Sequence, residues 1–207
     1  NERNVLRIEA GNGNRVQMDT TVTMVNVLPV YSGQGLPQAY TGKGVVVGVQ
    51  DIGFDLTHPT FYNADMTEYR IKALWDQLSK DTQGSTLPVG RDYRGTEELL
   101  QIGHPLDGLT QTHGTHTAGI AAGSGAEGAG KTSPYRGIAY EADIVMVANA
   151  AGDNIELIDK EDYYKYTYAT DALGFKYIFD YADSQGNPCV INFSEGGHQD
   201  FHGYDQL

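Results

Sequence analysis

The chain has 207 residues, with 27 Asp and Glu against 14 Lys and Arg, a formal charge of −13 at neutral pH. So acidic a surface lacks a basic stripe to neutralise phosphates, which excludes nucleic acid and anionic membrane as partners. No run reaches the ~18 apolar residues that a membrane span needs. At 40% hydrophobic and 20% charged the composition is that of a globular chain long enough for one large domain. The single cysteine, Cys189, cannot close an intrachain disulfide and sits in the apolar run Cys189-Val190-Ile191, so a buried structural thiol is expected. Residue 1 is Asn, and no basic segment followed by an apolar core stands at the start, so a secretory leader is expected to have been removed or to lie outside these residues.

In chain order, residues 1–40 read as a lead-in: short β-like pieces, Val5 to Glu9 and Val22 to Val25, alternate with Gly, Asn and Pro punctuation. Residues 41–207 read as the body of the domain. Val45-Val46-Val47-Gly48-Val49 is a β-branched run without alternation, which predicts a strand covered on both faces and central in a parallel sheet. Residues 63–111 form a long excursion, within which Arg70 to Trp75 fits a strand or a short helix. The small residues from His113 to Gly123 predict a slim helix pressed close to the sheet. Ala142 to Ala148 predicts a second buried strand. Ala172, Phe175, Ile178, Phe179 and Ala182 recur at helical spacing, and Cys189 to Phe193 predicts a third strand. Strand and helix in alternation give an α/β domain with a mainly parallel sheet.

Ligands of open α/β sheets sit beyond the carboxyl ends of the strands. Asp51 follows the first strand there, Ser194-Glu195-Gly196-Gly197 follows the third, and His113 opens the intervening helix. A carboxylate and an imidazole on one rim suit general-base chemistry, in which the imidazole takes a proton and the carboxylate fixes its tautomer. The same residues also fit a turn Asp and a structural helix-start His. A metal-dependent hydrolase is a further reading, because His113 and His116 are three apart, His198 and His202 are four apart, and His58 and His104 could join them. The pattern lacks the Glu of His-Glu-x-x-His, so no metal ligands are assigned.

Four stretches carry a family resemblance. Gly44 to Phe61, around Gln50-Asp51-Ile52-Gly53, resembles the aspartate motif of subtilisin-like serine peptidases, and Thr112 to Gly123 is similar to their histidine motif. Arg136-Gly137-Ile138-Ala139-Tyr140-Glu141-Ala142 and Val190-Ile191-Asn192-Phe193-Ser194-Glu195-Gly196-Gly197 match further family segments in the same order. The resemblance implies a three-layer α/β subtilisin-like fold, incomplete at its C-terminal end, and a secreted or cell-envelope endopeptidase acting on polypeptide. It implies Asp51 as the triad carboxylate, His113 as the general base, His116 as a packed helix position, and Ser194, Glu195 and Gly196 as the segment that pairs with substrate backbone and lines the specificity pocket. Glu195 there suits a basic substrate side chain. No cofactor is implied, although structural calcium is common in the family and its ligands here are unassigned.

The nucleophilic Ser and the oxyanion-hole Asn of such enzymes lie beyond the last matched motif, so the 207 residues alone are expected to be inert, with the rest of the catalytic domain as a partner. Where relatives have Thr or Ser beside the aspartate, Ile52 stands here, and a hydroxyl donor near the carboxylate is expected to be lost while backbone N–H groups hold Asp51. Val5 to Glu9 is similar to the last strand of a propeptide, which makes a propeptide a second expected partner. The rival is a pseudopeptidase whose cleft binds a polypeptide without cutting it.

Overall fold

The computed structural model describes residues 18–128 and 130–196; the expected propeptide-like strand at Val5 to Glu9, Gly197, and His198 and His202 lie outside the described residues. Two short helices come first, α1 (Met18–Met24) and α2 (Leu28–Ser32). Val22 to Val25, expected to be β-like, falls in and just after α1 instead. The helix satisfies its backbone locally, as in the 2.9 Å bond from Val25 N–H to Thr21 O. The segment rests on the domain through Tyr31, whose hydroxyl donates to Ile138 O at 2.6 Å and whose ring meets Tyr140 edge-on, 5.2 Å between centroids.

Then follow β1 (Val46–Asp51), β2 (Ile71–Asp76), β3 (Arg91–Arg94), α3 (Thr96–Ile102), α4 (His113–Ala122), β4 (Ala126–Gly128), β5 (Lys131–Thr132), β6 (Asp143–Ala148), α5 (Tyr168–Gln185) and β7 (Cys189–Phe193). The main sheet has the order β3-β2-β6-β1-β7. β1 runs parallel to β6 and β7, β2 runs parallel to β6, and only β3 is antiparallel. All six residues of β1 are buried, as the unbroken β-branched run predicts. The 63–111 excursion is folded into the sheet: the segment expected as strand or short helix forms the strand Ile71–Asp76, with Ile71 and Leu74 in the core on one face and Ala73 and Trp75 in the core on the other.

Those two cores make the domain three-layered, with α4 covering one face through Ala118 and Ala122 and α5 covering the other through Tyr177, Ile178 and Ala182. The buried stripe of α5 is turned from the expected one: Thr170, Gly174, Tyr177, Ile178 and Ala182 face inward, while Ala172 and Phe179 are exposed. Close approach sets this register. A Cβ on Gly48 of β1 would lie 2.4 Å from Ile178 Cγ2, so only glycine lets Ile178 seat there. Cys189, expected buried, is half-buried at the edge of the second core.

Candidate active site

The register fixes the site. Asp51 pairs with Ala148, and Gln50 with Phe193, so β1, β6 and β7 end on one rim. Asp51 closes β1 with its side chain only 2% exposed. His113 opens α4, and the first turn of that helix is pinned to the chain leaving β1: Gly114 N–H donates to Ile52 O at 2.7 Å and Thr115 N–H to Gly53 O at 3.0 Å. The Thr115 hydroxyl in turn accepts from Asp55 N–H at 2.7 Å. Gly114 is required there, because a Cβ would fall 2.6 Å from Phe54 Cε1.

This brings His113 Nδ1 to 2.6 Å from Asp51 Oδ1. A carboxylate oxygen can only accept, so Nδ1 carries the proton and Nε2 is the basic nitrogen. Oδ1 also accepts from Ile52 N–H at 2.7 Å. Oδ2 accepts from the Thr117 hydroxyl at 2.8 Å. The side chain at position 52 is apolar, as the sequence implied, yet the carboxylate does receive a hydroxyl: it comes from one helical turn beyond His113.

Asp51 and His113 share a cleft of about 550 Å³ with Ser194, Glu195 and Gly196, and Asn149, Gly152, Asp153 and Gln111 complete its walls. The structure thus gathers all five candidate residues around one opening. Glu195 Oε2 accepts from Asn149 Nδ2 at 3.0 Å. Burial and the charges of Asp171 and Asp51 hold the Glu195 carboxyl above its ordinary value, against the pull of the Asn149 amide. Ser194 is exposed, and its hydroxyl accepts from Asn192 Nδ2 at 2.8 Å. Half of the His113 side chain remains open to solvent.

His116, expected to be packed, is exposed. The buried face of α4 runs through Gly114, Ala118 and Ala122, and a residue two on from Gly114 points the other way. The described histidines have separate tasks: His58 Nδ1 caps the turn at Pro59–Phe61 by accepting from Thr60 N–H, and His104 Nδ1 lies 2.7 Å from Pro105 O. Among the described residues no three His, Cys, Asp or Glu side chains converge on a point that could hold a metal ion, and no helix is long and apolar enough to cross a membrane.

Three further residues that brace the site were missed from sequence. Asn149 is 1% exposed and directly follows β6, whose last residue pairs with Asp51; a polar residue at the carboxyl end of a buried strand was the available signal. Asp107 is fully buried in the loop before α4, where Oδ2 accepts from Gly53 N–H at 3.1 Å and from Asn154 Nδ2 at 2.8 Å. Burial pushes that carboxyl upward, opposed by the Asn154 and Gly53 donors and aided by the Asp51 charge. Thr117 gave no signal beyond its position one turn after His113.

The model of the subtilase family matches residues 42–204. A PII-type proteinase of Lacticaseibacillus paracasei is 30% identical over 131 residues, which is 60% of this chain and 6% of that protein. The structure of the Clostridium perfringens CspB protease superposes with a TM-score of 0.54 at 25% identity, covering 81% of this chain and 32% of that one. The chain therefore spans only a small part of the length of the relatives it matches.

Proposed function

From its membership of the subtilase family, to which this chain belongs, we propose that residues 41–207 are the aspartate- and histidine-bearing part of a serine endopeptidase whose nucleophilic Ser is supplied from outside these 207 residues. The observation that carries the reading is the 2.6 Å bond between His113 Nδ1 and Asp51 Oδ1, in the cleft that also holds Ser194, Glu195 and Gly196. With Nδ1–H given to the carboxylate, Nε2 accepts the proton of a serine hydroxyl as the oxygen attacks the scissile carbonyl, and later returns it to the leaving amine. Asp51 holds the tautomer and stabilises the imidazolium. The backbone of Ser194 to Gly196 continues β7, so an extended polypeptide adds to it as a further strand, main-chain bonds giving affinity and side-chain pockets selectivity. Glu195 and the acidic wall around it favour a basic substrate side chain. The chemistry asks for no cofactor, and the protein is assigned to a secreted or cell-envelope setting.

The test is an intact mass of the native protein together with labelling by a fluorophosphonate probe. A species that takes the probe, and loses the label in Asp51→Asn and His113→Ala, supports the reading. A full-length native product that never labels overturns it, leaving a cleft that binds polypeptide without cutting it.

A further inference from the structure

The two oxygens of Asp51 are served unequally. Oδ1 faces His113 and also takes the Ile52 N–H. Among the described residues Oδ2 has one side-chain donor, Thr117 Oγ1 at 2.8 Å. With the side chain 2% exposed, Oδ2 has almost no access to water, and an ionised oxygen so buried needs a donor. The Thr117 hydroxyl has a second acceptor within reach, Gly114 O at 3.2 Å, but it has one proton. The shorter, charge-assisted bond to the carboxylate takes it.

The position of Thr117 makes this bond directional. It sits on the same helix as His113, one turn on, so one rigid element delivers the imidazole to Oδ1 and the hydroxyl to Oδ2. The two contacts fix the carboxylate plane relative to the imidazole, and Ile52 adds only its main chain. We infer that Thr117 is a positioning residue for the Asp51–His113 pair, holding the carboxylate in the rotamer that presents Oδ1 to Nδ1. The inference rests on the peptidase reading above, and goes beyond it by assigning the residue on which the geometry of the pair depends.

Thr117→Val keeps the shape and removes the hydroxyl. The carboxylate then has an unserved oxygen and is free to turn away from the imidazole, so its hold on the imidazolium weakens. In the full-length protein kcat should fall roughly tenfold with KM unchanged, because the lost bond supports the transition state rather than substrate binding. The acidic limb of the pH–rate profile should move to lower pH, and Thr117→Ser should return kcat to within about twofold of the parent. A valine variant with the parent kcat and pH profile overturns the inference. So does a serine variant no better than valine, or no better than Thr117→Ala should valine fail to fold. Failure of the peptidase reading looks different: the parent protein never takes the fluorophosphonate probe. The inference is then read from histidine-selective 13C labelling, in which the pH at half-change of the His113 ring signals falls in Thr117→Val. An unchanged midpoint overturns it.

Discussion

Arg70 offers the sharpest test of how α4, and with it His113, is held. It is 3% exposed, and its guanidinium donates to four backbone carbonyls: Tyr62 O at 3.2 Å, Thr60 O at 2.9 Å, Ala142 O at 2.9 Å and Ala122 O at 2.7 Å. Burial pushes the group down to about 10, so it is still charged at neutral pH. Ala122 is the last residue of α4, where carbonyls lack helical partners and a cation meets the negative end of the helix dipole. Arg70→Met keeps much of the apolar stem and removes every donor. Thr60 O retains the Ser124 N–H and hydroxyl at 2.9 and 3.1 Å, so the loss falls on Tyr62, Ala122 and Ala142. At about 1.5 kcal/mol for each bond to a charged group, the low end of the range, the variant loses about 4.5 kcal/mol. In a domain of this size that corresponds to a fall in Tm of about 9–18 °C, read by a thermal melt of the full-length protein. A change below about 3 °C would refute the claim that Arg70 clasps the helix end.

Three further outcomes follow from the same structure. Gly114→Ala places a methyl group 2.6 Å from Phe54 Cε1 and 3.0 Å from Ile52 O; it should cost about 1–3 kcal/mol of stability and lower kcat by shifting His113, both visible in one preparation by melt and by peptide hydrolysis. Burial pushes Asp76 up to about 7 from 3.8, with the Asp107 charge adding to it and the Leu106 and Leu78 N–H groups opposing. Because the folded-state value is raised, the stability from this group is complete below about pH 4 and is lost as pH rises through about 7. Urea midpoints should therefore fall between pH 5 and pH 8, and fall less in Asp76→Asn; equal falls in both proteins would discount Asp76 as the cause. Glu195→Gln should reduce the preference for a Lys or Arg peptide over its Leu counterpart by about 2–5-fold, the scale of a partly exposed charge pair, and an unchanged kcat/KM ratio would remove Glu195 from selectivity.

Most of the sheet was legible because its strands are short apolar runs between breakers, and burial on both faces leaves such runs no other use. The functional rim was legible for a related reason: Asp51 ends the buried strand β1, Ser194 follows the partly exposed strand β7, and His113 stands where a helix begins. What escaped the sequence depends on the destination of a side-chain hydrogen bond. Thr117 in isolation is a mediocre helix residue, and only the packing of α4 on β1 shows that its hydroxyl ends on a carboxylate. Asp107 lay in a Gly-, Asp- and Thr-rich stretch that reads as surface loop, yet it is buried because the loops after β1 and β6 both donate to it. The helical face of α5 was turned because Gly174 and Gly48, silent in an apolar count, set the depth at which the helix docks. A Cβ on Gly174 would lie 2.1 Å from Gln50 Oε1.

These features converge on the stability of α4. Its sequence, His113-Gly114-Thr115-His116-Thr117-Ala118-Gly119-Ile120-Ala121-Ala122, contains two glycines and two threonines, each costing helix propensity. A helix of ten residues with that composition is marginal by itself in water. Its rigidity comes from outside. At the N-terminal end the carbonyls of Ile52 and Gly53 take the N–H groups of Gly114 and Thr115, and at the C-terminal end Arg70 takes Ala122 O. Between them Thr117 reaches Asp51. The small residues that weaken the helix also let it lie close enough to β1 for these bonds to form, so the element is stiff where the Asp51–His113 distance is set. Damage at one clamp should therefore propagate along the helix. Arg70→Met and Gly114→Ala act at opposite ends, and each should lengthen the Asp51–His113 contact; combined, they should destabilise by less than the sum of the two single effects, since a helix already released at one end has less order to lose at the other. Strictly additive losses in the double variant would show that the two ends are held independently.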